Sequence, residues 1–137
     1  DRFSTGEPNT PGIVGLLRAV EYIQDIGGIS EIDQRVFFLT EYLVENLKSI
    51  PNIKIYGPES ANGRAGLVTF NLGDLPSSKL CQYLNRNNVV VQASHFFCPG
   101  TLKMFGTESV VRIALHYWNT KEEIDKVLDL LDSYPYK

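Results

Sequence analysis

The stretch V-V-R-I-A-L-H-Y-W-N-T-K-E-E-I-D, residues 110–125, decides the fold. Its first half alternates as a strand over Val110 to Tyr117. Val111, Ile113, Leu115 and Tyr117 fall on one face, and Arg112, Ala114 and His116 on the other. Thr120-Lys121-Glu122-Glu123 then forms a capping box, in which the Thr side chain takes the N3 amide and Glu123 reaches back. Ile124, Val127, Leu128 and Leu131 give the helix that follows its buried face. Arg112 is the odd member of the apolar strand. A half-buried guanidinium needs an anion or a dense set of acceptors, and the strand carries no acid. Arg112 is therefore expected to meet a carboxylate from elsewhere, a ligand's included.

Working outward, the segments before this one alternate between two periods. Residues 4–12 are turn-rich. Thr10 is the expected N-cap and Pro11 the first helical residue. Ile13, Leu16, Leu17, Val20 and Ile23 recur at helical spacing until Gly27-Gly28 stops them. Ser30 starts a second helix with Ile32, Val36, Leu39, Leu43 and Leu47 along its stripe, widened by Phe37, Phe38 and Tyr42, and Pro51 closes it. Strands follow at Ile53–Tyr56 and Leu67–Leu72, separated by a polar loop from Gly57 to Arg64. Pro76 opens a short helix bearing Leu80, Cys81 and Leu84. Val89-Val90-Val91 reads as a third strand, buried on both faces. Residues 94–109 are irregular, with one helical turn at Leu102, Met104 and Phe105. The order ααββαββα lacks the βαβ alternation of a doubly wound sheet. It predicts an α+β domain, with a small, mostly antiparallel sheet and helices packed on one face.

At 137 residues the chain is expected to be one domain with a real core. A net charge of -3 without any Lys/Arg block excludes an electrostatic footprint for nucleic acid. No apolar run reaches the ~20 residues of a membrane helix, and no signal peptide is recognisable. Cys81 and Cys98 form no disulfide framework, which predicts an intracellular, reduced protein. His116 and Cys98 lack ligand spacing, so no metal site is expected. The start at Asp1, without Met, reads as a processed or excised chain.

Several motifs occur in a telling order: G-x-P-N-x-x-G at residues 6–12, I-Y-G-P at 55–58, L-V-T-F-N-L-G at 67–73 and L-P-S-S-K-L-C-Q-Y-L at 75–84. A V-V-V strand, a His/Cys loop and R-I-A-L-H-Y-W-N-T-K-E-E-I-D complete the series. This order resembles the C-terminal small domain of the class V aminotransferase-like enzymes, which use pyridoxal phosphate. Within them it is most similar to the cysteine desulfurase/selenocysteine lyase branch. The resemblance spans nearly the whole chain, 1–137, as one small domain. It implies a large N-terminal domain, absent from this chain, that holds the Schiff-base lysine in a His-Lys segment. No such segment occurs here, so this chain alone is expected to be inactive. The resemblance further implies a cytoplasmic homodimer, an amino-acid substrate and a sulfur-acceptor protein.

It also implies site residues, each with a plainer alternative. Arg112 would bind the substrate α-carboxylate, a task suited to guanidinium geometry; the alternative is a strand arginine paired with a core acid. Cys98 would be the nucleophile that takes sulfur as a persulfide and leaves alanine; the alternative is an inert thiol. Here the chain departs from the family pattern of Arg, two small residues, His, His or Phe, then Cys. Gln92 replaces the Arg, and Phe97 takes the cysteine position, so Cys98 comes one residue late. His95 would orient the loop or move protons, or simply bond backbone. Gly6 and Glu7 would approach the partner subunit's cofactor phosphate, where the family carries Thr at the position of Glu7. A glutamate repels phosphate, which leaves backbone amides to serve, or simple helix capping. Two other functions stay open. One is class V chemistry such as transamination, epimerisation or another β-elimination. The other is a free-standing α+β module that binds a small anion or a partner.

Overall fold

Antiparallel pairing around one central strand pair organises the chain. The computed structural model describes residues 6–135. The elements run α1 (Thr10–Asp25), α2 (Gly28–Leu47), β1 (Ile53–Tyr56), β2 (Leu67–Leu72), α3 (Ser77–Arg86), β3 (Gln92–Ser94), α4 (Pro99–Met104), β4 (Val110–Ala114) and α5 (Lys121–Asp132). The four strands stand in the order β1-β2-β4-β3, every pair antiparallel. This is the α+β sheet the sequence predicts.

Alternation sorts the sheet into two faces. Val68, Phe70 and Leu72 of β2 face one way with Val111 and Ile113 of β4, and all are buried. Leu39, Leu43 and Leu47 of α2, Leu80 and Leu84 of α3, and Ile124, Val127 and Leu131 of α5 close over them in one core. The short α4 lies on the opposite face, where Leu102 packs with Tyr56, Val110 and Phe96.

Four sequence expectations change. The N-cap of α1 is Asn9, not Thr10: its Oδ1 accepts from the Gly12 amide at 3.1 Å. The helix α2 starts at Gly28 rather than Ser30, behind Gly27 at φ 107°. The third strand lies at Gln92–Ser94, not Val89–Val91, and Val90 is 94% exposed. The cause is local. The Val91 amide donates to Asn85 Oδ1 at 3.1 Å, and the Cys81 thiol donates to the Val91 carbonyl at 3.3 Å. Side chains of α3 thus satisfy Val91 before the ladder can. The strand β4 ends at Ala114, short of Tyr117. Leu115 still donates to the Gly66 carbonyl at 2.8 Å, and the chain then turns through His116 and Asn119.

The helix α1 differs from the rest. None of its residues is buried, and Ile13, Leu16, Leu17 and Val20 of its stripe are all exposed. At the other end of the chain, the capping box of α5 is complete. Its hydrogen bonds lower the pKa of Glu123: Asn119 Nδ2 and the Thr120 amide both donate to it. The sign follows directly. This contribution is present above the usual carboxylate range and is lost as pH falls through the lowered value.

Two substitutions test this architecture by thermal or urea unfolding. Gly66 sits at φ 80°, and a Cβ there would meet the Leu115 carbonyl at 2.6 Å. Gly66→Ala should therefore destabilise by roughly 1–3 kcal/mol or more. Thr120→Ala removes the cap and should cost about 1 kcal/mol. Equal stability of Gly66→Ala and wild type would rule out the close approach of β2 to the end of β4.

Candidate functional site

The sheet face opposite the main core carries the polar chemistry. Register places Tyr56 against Thr69, Thr69 against Arg112, and Arg112 against Gln92. These residues form one row across all four strands, with Arg112 on a central strand. The Arg112 side chain is half-buried. Its Nη2 donates to Gln92 Oε1 at 3.0 Å. Its Cζ stands 4.1 Å from the centroid of the Phe96 ring, in cation–π contact. Among the described residues Arg112 has no carboxylate partner; the ion pair present there joins Arg18 to Glu21. Its Nε and Nη1 groups make no hydrogen bond to them.

The loop that supplies Phe96 is strained. Phe96 has φ 46° and Phe97 φ 58°, left-handed values that bulky residues rarely adopt. Local hydrogen bonds brace it. The Phe96 amide donates to Ser94 Oγ at 3.2 Å, the Phe97 amide to His95 Nδ1 at 3.0 Å, and the Cys98 amide to the His95 carbonyl at 2.9 Å. Because Nδ1 accepts, the neutral His95 ring carries its proton on Nε2. Phe97 stands at the tip, 94% exposed, with its ring edge-on to His95. Cys98 is exposed and stands at the N-cap position just before α4. The structure therefore joins the Cys98 loop to Arg112 through Phe96. Sequence reasoning named Gln92 only as a departure from a pattern and did not connect Phe96 with Arg112. The signal that finds them is strand register: Gln92 opposes Arg112 once β3 is placed at 92–94.

At the chain's start, Gly6 has φ 77°, and Glu7 is exposed. The amides at the start of α1 are already engaged. Thr10 donates to the Pro8 carbonyl at 2.8 Å, Gly12 to Asn9 Oδ1, and Ile13 to the Asn9 carbonyl at 3.0 Å. Pro11 has no N–H. An anion at this helix end would have to meet donors other than these amides.

Other candidates resolve as structural. Arg64, placed by sequence in a polar loop, is 6% exposed. Its guanidinium donates to the carbonyls of Ser60, Tyr56 and Pro58, and burial lowers its pKa. Cys81 is half-buried on α3 beside the main core. His116 stacks on Trp118 at 4.8 Å. Among the described residues no group of His, Cys, Asp and Glu is arranged to hold a metal, and no helix is long and apolar enough to cross a membrane.

Comparison with known proteins places these features in a family context. The family described as aminotransferase class-V matches residues 1–127. A probable cysteine desulfurase of Staphylococcus epidermidis is 33% identical over 130 residues, covering 95% of this chain and 31% of that protein. A cysteine desulfurase of Pectobacterium carotovorum is 33% identical over 127 residues, covering 93% of this chain and 30% of that protein. The solved apo structure of a cysteine desulfurase from Thermococcus onnurineus superposes with a TM-score of 0.84 at 28% identity, over 96% of this chain and 32% of that one. The chain spans about a third of the length of the curated relatives it matches.

The two thiols should differ in reactivity. Cys98 is exposed, whereas Cys81 is half-buried with its thiol bonded to the Val91 carbonyl. Brief iodoacetamide treatment of the folded protein, read by peptide mass spectrometry, should modify Cys98 well before Cys81. Equal rates would contradict the placement of α3 against residue 91.

Proposed function

The chain belongs to the aminotransferase class-V family, and from that premise we propose that it is the C-terminal small domain of a pyridoxal-phosphate-dependent cysteine desulfurase. The whole enzyme would remove sulfur from cysteine, or selenium from selenocysteine, to leave alanine. It would act as a cytoplasmic homodimer and pass sulfur to an acceptor protein. The observation that carries this reading is Arg112: a guanidinium with unspent N–H groups and no acid beside it among the described residues, linked through Phe96 to an exposed thiol loop.

Pyridoxal phosphate, anchored by a lysine outside this chain, would supply the electron sink for bonds at the substrate's α- and β-carbons. The residues present fit the substrate side of such a site. The free N–H groups of Arg112 suit a bidentate α-carboxylate. The Cys98 thiolate would attack the substrate sulfur, forming an S–S bond as the C–S bond breaks. His95 would orient the loop through Nδ1 and offer the proton on Nε2. Toward the cofactor phosphate, Gly6 and Glu7 would contribute main-chain amides only, because the Glu7 carboxylate repels an anion.

A second reading keeps the family and changes the reaction to transamination, epimerisation or a β-elimination without a protein thiol. It is favoured by the loop itself, where Phe97 occupies the exposed tip and Cys98 sits back at the N-cap of α4.

The deciding experiment expresses the chain with its upstream coding sequence and supplies cysteine. Alanine and sulfide should appear together, with visible absorption from the cofactor. Cys98→Ala should lower alanine release by roughly two orders of magnitude or more. Arg112→Ala should weaken amino-acid binding roughly 10- to 100-fold. Wild-type release by Cys98→Ala would end its role as sulfur acceptor. Absorption without alanine would favour the second reading.

A further inference from the structure

Arg112 presents a planar guanidinium with one face and one N–H group already engaged. Gln92 Oε1 takes Nη2 at 3.0 Å, and the Phe96 ring covers a face with its centroid 4.1 Å from Cζ. Both contacts come from the short segment 92–96. Gln92 sits directly opposite Arg112 in the β3–β4 ladder, so the backbone fixes its reach. Phe96 sits past the end of β3 in the left-handed region, where Ser94 Oγ holds its amide. We propose that Gln92 and Phe96 are positioning residues for carboxylate recognition: together they fix the Arg112 guanidinium so that its remaining N–H groups are presented to a ligand's carboxylate.

The chemistry of the two residues supports this assignment. An acid at position 92 would form an ion pair with the guanidinium and compete with the ligand's carboxylate. The Gln92 amide accepts a hydrogen bond and leaves the full positive charge available. The Phe96 ring restrains the guanidinium plane without supplying an anion. A flexible arginine side chain loses rotamer freedom when it clamps a ligand. Holding it beforehand removes that cost from the binding step. The inference rests on the reading of Arg112 as the substrate clamp.

The test uses the full-length holoenzyme and measures binding of L-alanine by the change in the cofactor's visible absorption. L-Alaninamide, which lacks the carboxylate, serves as the control ligand. Gln92→Leu and Gln92→Glu should each weaken L-alanine binding about tenfold or more, the acid more strongly. Phe96→Leu should weaken it severalfold, and Phe96→Tyr, which keeps the ring, should restore it. L-Alaninamide affinity should stay near wild type in every variant, and the Gln92 variants should keep the wild-type melting temperature. In an Arg112→Ala background, Gln92→Leu should add nothing, because the pair acts as a unit. Unchanged L-alanine affinity in Gln92→Leu and Phe96→Leu, with Arg112→Ala impaired, would overturn the positioning role alone. Equal losses for both ligands would make the role merely structural and overturn it as well. Undiminished L-alanine binding by Arg112→Ala would overturn the clamp reading itself.

Discussion

The pairing of β4 with β2 is the constraint on which the rest depends. These two strands are the centre of the sheet. Their core-facing side chains, Val68, Phe70, Val111 and Ile113, are buried. Burial on one face fixes register, since a slip by one residue would turn every side chain over. Arg112 therefore faces away from the main core because its neighbours must face into it. The pairing continues past β4 to the Leu115–Gly66 hydrogen bond, where only a residue without Cβ permits the approach. Packing on one face thus sets the chemistry on the other.

The sequence made much of this legible. Alternation in 110–115 gave the correct faces, 67–72 read correctly as a strand, and the capping box gave the start of α5. Two of the errors share one physical form: a local side chain claimed backbone groups that periodicity had assigned elsewhere. Asn9 took the cap expected of Thr10. Asn85 and Cys81 took the polar groups of Val91, which pushed β3 onward to Gln92. Composition favoured a triple-valine strand, but a strand requires free N–H and C=O groups, and those of Val91 were already bonded. The site was legible to the same degree. Arg112 announced itself as a cation in an apolar strand. Its partners Gln92 and Phe96 became visible only with the corrected register and the backbone of the loop.

The helix α1 shows the opposite limit. Its apolar spacing predicts a helix correctly, yet periodicity does not say what covers the stripe. In isolation a helix of 16 residues is marginal in water, and this one rests against α2 with its stripe exposed. A chain that spans about a third of its relatives would leave such a face bare. The exposed stripe of α1 thus agrees with the proposed place of this domain in a larger enzyme.

Two arginines frame the functional argument. Arg64 is the more deeply buried, and backbone carbonyls satisfy it on every side the loop offers. It holds the 57–64 loop closed and has nothing left to bind. Arg112 is less buried but less satisfied, with one hydrogen bond and one ring. The loop that supplies the ring is itself costly: each left-handed non-glycine residue costs about 1–3 kcal/mol. The bonds to Ser94 and His95 return about 1 kcal/mol each, and the cation–π contact about 0.5–2 kcal/mol. These terms nearly cancel. Intrinsic preference therefore does not hold the loop; its contacts do, and one of them is the guanidinium. Placement of the Cys98 loop and orientation of Arg112 are then one energetic unit. On the proposed roles, a thiol that meets the substrate's sulfur and a cation that holds its carboxylate would act through that coupling.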